Sequence, residues 1–181
     1  MNRYIILFIA IPIFFSCKHS ANRSAEQKTV DSSTVITEPN YSPDIATGSK
    51  AEREAQITSL INVTKQTMDS IDVAYTTIRS SSRLMDLSMD EREDVNEALQ
   101  QMNVAKELIV LETQKEIIDQ LRQKTNSLNS VIAHINKTSE RLNNIAVTIS
   151  KVSNIIEKTT NILASSFTMG IIKPKTEVVS N

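Results

Sequence analysis

The sequence has no tryptophan, one cysteine, two histidines, two glycines and four prolines in 181 residues. A single cysteine rules out an intramolecular disulfide and any cysteine-based metal cluster. The histidines, His19 and His134, lie far apart in the chain, which removes most zinc sites and most histidine-activated nucleophiles. Sheets and tight-turn folds use glycine and proline as punctuation, so their scarcity points to few turns and long helices. An excess of one charge is also missing. The formal net charge is −1, which excludes a global electrostatic drive toward nucleic acid or an anionic membrane. There is no glycine-rich phosphate loop, no HExxH, no CxxC and no nucleophile elbow. No basic stripe with interleaved aromatics supports nucleic-acid binding. No enzymatic activity, cofactor or metal is therefore expected.

What is present begins with an apolar run. Asn2 and Arg3 give a positive start, and Tyr4 to Phe15 reads "YIILFIAIPIFF". A bilayer span takes about 20 residues, so this run is too short to cross, but it has the length of a signal-peptide h-region. Ser16 and Cys17 close it. These residues resemble the lipobox of bacterial lipoproteins, an apolar run followed by a small residue and the cysteine that becomes the lipidated N-terminus. The resemblance covers Met1 to about Lys18. It implies a signal peptide over 1–16 that is removed, and a Cys17 bearing a diacylglyceryl thioether and an acylated amino group of the palmitate type. It also implies a bacterial cell-envelope location, with the outer membrane expected and the leaflet open. Several acyl chains anchor firmly where one is marginal. The other readings are an ordinary secretory signal cleaved near Ser16 and an uncleaved anchor.

Residues 17–50 then form the lipidated cysteine and a tether. Pro39, Pro43 and Gly48 break any helix, and no apolar periodicity runs through the stretch. Such a composition does not bury enough surface to offset ordering, so a disordered tether is expected, with a stretched reach of roughly 110 Å. Within it, "VITEPNYSPD" is noted as a candidate binding epitope.

From Ala51 to Met169 the spacing turns helical. Ile57, Ile61, Thr64, Met68, Ile71, Tyr75 and Ile78 step by four and three, which predicts one stripe of a first helix ending around Ser80–Arg83. Ser88 and Glu91 fit a capping box that opens a second helix near Met89. Asp90, Glu91, Glu93 and Asp94 crowd that first turn, either as complement to the helix dipole or as a cation site. Val95, Leu99, Met102 and Ile109 give the next stripe. After "LIVL" at Leu108–Leu111 it slips by one residue to Val110, Ile117, Leu121 and Leu128.

The clearest pattern follows. Leu128, Val131, Ile135, Leu142, Ile145, Ile149, Val152, Ile156 and Leu163 lie on a heptad seam, with Thr138 and Thr159 at its two polar positions. The seam register passes unbroken through "RQKTNSLNS" at 122–130. The expected fold is therefore all-α, an elongated helical hairpin or coiled coil with one long helix from about Met89 to Thr168. The alternative is a three-helix bundle with a break near 124–127. Gly170 followed by Pro174 marks a stop, and residues 170–181 are read as a tail. Threonines 64, 138 and 159 are either register-setting polar layers or tolerated small residues. His134, beside the seam, is expected at a surface or an interface.

The functional expectation is a lipid-anchored envelope protein acting as a helical scaffold or protein-interaction module. Its partners would be the membrane through the anchor, and either a second copy or an envelope protein through the seam. The alternatives are a membrane-inserting helical protein of the pore-forming or toxin-like kind, for which "ELIVLE" is the supporting stretch, and a bundle holding a small apolar ligand.

Overall fold

The structure, a computed structural model, describes residues 36–39, 49–110 and 114–172. Residues 1–35 lie outside it, so the signal peptide, Cys17 and most of the tether are not described. Four α-helices follow in order: α1 (Lys50–Arg79), α2 (Met89–Leu108), α3 (Lys115–Thr138) and α4 (Asn143–Thr168), with short 3-10 turns at Ser82–Asp86 and Glu140–Leu142. No strand occurs among the described residues.

Two helix starts are built from the local code. Ser49 and Glu52 form a reciprocal capping box on α1, and Ser88 and Glu91 form another on α2. The end of α4 is equally explicit. Gly170 adopts φ +69°, its N–H bonds to the Phe167 carbonyl, and the Ile171 N–H bonds to the Ser166 carbonyl. This is a Schellman closure, and glycine takes the left-handed position without steric penalty. Ile171 and Ile172 beyond it are buried against the core, so the start of the expected tail belongs to the packed body.

Consecutive helices joined by short connections become antiparallel neighbours. Cross-helix contacts confirm the direction for α2 and α3: Glu91 meets Ser139, while Asp94, three residues further along α2, meets His134, five residues back. Ser153 of α4 reaches Asn129 of α3. Thr67 of α1 meets Thr159 of α4, which closes the ring of four. The most extensive packing is α3 on α4, then α2 on α3.

The all-α class and a C-terminal seam-bearing helix are as expected. The continuous helix from Met89 to Thr168 is corrected. The chain is helical through 122–130, so the three-helix alternative with a break near 124–127 is also set aside. The breaks lie elsewhere. At the first, α2 ends at Leu108 and Ile109 turns to an extended conformation with its side chain buried. This coincides with the one-residue slip of the stripe. The slip, which fits either drift correction in one helix or a change of the neighbour faced, falls here at a break between two helices. At the second, Ser139 is extended at φ −148°, ψ 110°, and the chain reverses through Glu140–Leu142. The seam passes this corner in register because Leu142 returns under the core one heptad after Ile135.

The first stripe also sits differently. On α1 the buried residues are Leu60, Val63, Thr64, Thr67, Ser70, Ile71, Ala74 and Ile78, while Ile61 is 44% exposed. Ile57, Met68 and Tyr75 of the expected stripe are half-buried against the core, and the inner face also takes in the adjacent row of Leu60, Val63, Thr67, Ser70 and Ala74, which is richer in small residues. Small side chains let α1 approach α4 closely enough for Thr67 and Thr159 to meet at 2.7 Å.

Candidate functional site

The nine seam residues come together. Leu128, Val131 and Ile135 project from α3, Leu142 from the corner, and Ile145, Ile149, Val152, Ile156 and Leu163 from α4, and all nine are buried. They form one cluster with Ile71 and Ala74 of α1 and with Val95, Ala98 and Met102 of α2. Between Met102 and Ile109, Ala105 fills the inner position, and the adjacent Lys106 reaches outward to Asp72 at 2.6 Å. The seam is therefore covered by helices of its own chain. In the folded bundle the nine residues pack within their own chain.

Polar groups are distributed through this core, most of them bonded within a helix or to a neighbouring one, while the buried Ser166 hydroxyl has no partner among the described residues. The Thr67 hydroxyl donates to the Val63 carbonyl at 2.9 Å, so its one hydrogen is used, and the Thr159 hydroxyl is the donor across the 2.7 Å contact. Thr64 donates to its own helix at Ile61, and Thr138 is exposed at the end of α3. Of the three threonines, Thr159 alone forms a cross-helix layer in the described residues. Ser153, fully buried, donates to the Asn129 side-chain oxygen at 2.8 Å.

The most organised polar cluster lies at the end where the two corners meet. Glu91 caps α2, accepting the Ser88 N–H at 2.8 Å, and its other carboxylate oxygen accepts the hydroxyl hydrogen of Ser139. Arg141 stands 3.7 Å away, and Arg83, from the 3-10 turn between α1 and α2, donates to the Arg141 carbonyl at 3.2 Å. Nearby, His134 Nδ1 and the Asp94 carboxylate approach to 2.8 Å. Glu91 and Asp94, read from the sequence as complement to the helix dipole or as part of a cation site, thus latch α2 to α3 and its corner. No group of three His, Cys, Asp or Glu side chains that could hold a metal occurs among the described residues.

The latch has a pH signature. The Ser139 hydroxyl, then the Ser88 groups and the Arg141 charge, hold the Glu91 carboxyl at about 2, below its ordinary 4.5. A group depressed on folding contributes stability above its unfolded pKa and loses it as pH falls through the folded value. The melting temperature should therefore drop between pH 4.5 and about 2. A Glu91→Gln variant should start lower at neutral pH and show a flatter decline over that window. Parallel curves for the two proteins would contradict the assignment.

A shallow groove of about 240 Å³ runs between α3 and α4, lined by polar side chains including Arg122, Asn126, Asn129, Glu157 and Asn161. No described helix is long and apolar enough to cross a membrane. Comparison with protein-family models, with curated proteins and with solved structures finds no match for the chain.

Proposed function

We propose that the chain is a lipid-anchored protein of the bacterial cell envelope whose four-helix bundle is a scaffold or protein-interaction module. The observation that carries this reading is the join of two unlike parts. An apolar run ending in Ser16-Cys17 precedes a stretch without apolar periodicity, and a bundle that covers its own seam follows. A bundle of this kind needs no partner to fold, and contacts with others fall to its outer faces. The alternatives gain less support. The "ELIVLE" stretch places Ile109 inside a corner of the bundle, and the groove between α3 and α4 is polar where an apolar ligand needs an apolar site.

The test is metabolic labelling with radioactive palmitate, combined with detergent-phase partition. The wild-type chain should incorporate label and enter the detergent phase. Cys17→Ser should lose both while its bundle melts unchanged. Equal labelling of the two proteins would sink the proposal.

A further inference from the structure

Ser70 lies on the inner side of α1 and is buried. Thr58, Thr64 and Thr77 of the same helix each return their hydroxyl hydrogen to a carbonyl of that helix, at 2.8–2.9 Å. Ser70 does not. It donates at 3.1 Å to the backbone carbonyl of Thr37, thirty-three residues earlier. The next residue, Glu38, pairs with Lys158 of α4. The preceding one, Ile36, is half-buried and packs against the core cluster. Pro39 follows and fixes its own φ. Four consecutive non-helical residues from the expected tether thus engage α1, α4 and the core through a carbonyl, a carboxylate and an aliphatic side chain. A backbone contact for affinity and side-chain contacts for selectivity are how folded domains recognise extended segments.

We propose that the face between α1 and α4 is an exchangeable docking site for an extended segment carrying an aliphatic residue, then an acid and a proline. Its resident occupant is Ile36–Pro39 of the same chain. One hydroxyl bond, one half-exposed ion pair and one partly buried side chain stand against the ordering of four residues, a balance that makes docking reversible. Docking also changes reach. The chain between Cys17 and Ile36 spans at most about 65 Å, against about 110 Å to the start of α1. The bundle is drawn toward its anchor when the segment is docked and released when a competing segment takes the site. The change of reach rests on the lipid-anchor proposal, whereas docking itself does not.

The experiment separates the two by using the full chain with Cys17→Ser, which has no lipid. Spin labels at Thr37→Cys and Asn154→Cys, both at exposed positions, report the distance between segment and α4. A single narrow, short distance is expected. Lys158→Glu should lower the docked population about fivefold, and the exchange Glu38→Lys with Lys158→Glu should restore it. An excess of the peptide spanning residues 33–42 should displace the segment and lengthen the distance. A broad distribution in the starting protein overturns the proposal. So does a docked population indifferent to both charge changes, or one the peptide never displaces. A short distance that arises only on mixing singly labelled chains overturns occupancy by the same chain.

Discussion

Replacing Ile149 by aspartate is expected to abolish the cooperative melt of the bundle. Ile149 is fully buried near the middle of the seam, among residues contributed by all four helices. Truncation to alanine would leave a cavity and cost about 2–5 kcal/mol. Aspartate adds the desolvation of a carboxylate that finds no cation in the described core, which exceeds the lower end of the 5–15 kcal/mol that holds a typical domain together. Val147, two residues away on the same helix, is 47% exposed, and its change to aspartate should alter stability by no more than about 0.5 kcal/mol. Ile145→Asp should behave as Ile149→Asp does. Circular dichroism during a thermal scan of the three variants reads the contrast, and equal melts for Ile149→Asp and Val147→Asp would refute the assigned inner face.

The second large effect concerns where the chain turns. Ser127→Pro places a proline in the interior of α3, removes a helical hydrogen bond and sets the ring against the preceding turn. The expected loss is about 3 kcal/mol or more. Glu140→Pro should cost little or even add up to about 1 kcal/mol. Residue 139 before it is already extended at φ −148°, ψ 110°, the conformation a following proline demands, and residue 140 opens a 3-10 turn. A continuous helix through both positions would make the two prolines about equally damaging. Denaturant unfolding of the pair separates a hairpin turning at Ser139 from a long rod.

The seam of α3 and α4 was legible because its apolar residues are long, regular and nearly uninterrupted, and the capping boxes at Ser49 and Ser88 are local codes that need no tertiary help. The turn at Ser139 was not legible. "NKTSERLN" has neither glycine nor proline. The Ser139 hydroxyl, of a type that often caps a helix start, is committed instead to Glu91 on α2. A partner forty-eight residues away holds the corner, and no local rule contains it. The other turn did leave a trace, the register slip after "LIVL", although a slip alone does not distinguish a bend from a correction. On α1 the periodicity was right, and Ile61 alone of the expected stripe is exposed, while the inner face extends to the neighbouring row that begins at Leu60. Choosing between Ile61 and Leu60 depends on how closely α4 approaches, a property of the assembled bundle. Of the latch, the sequence showed the Ser88–Glu91 capping box and the crowded acids, while the pairing of Glu91 with Ser139 and of Asp94 with His134 needed the assembled fold. Ile36–Pro39 lies within "VITEPNYSPD", which the sequence offers as a candidate epitope, but nothing in the stretch points to this chain's own bundle as what it touches.

Central to the account is that one chain covers its own apolar seam. Sedimentation equilibrium of the Cys17→Ser chain measures this directly, because a seam covered within the chain and a seam covered between chains differ in mass. A seam covered within the chain gives the mass of a single chain, 20.2 kDa with the first sixteen residues retained, at every concentration loaded. A mass that doubles as concentration rises, with helicity rising alongside it, would contradict it.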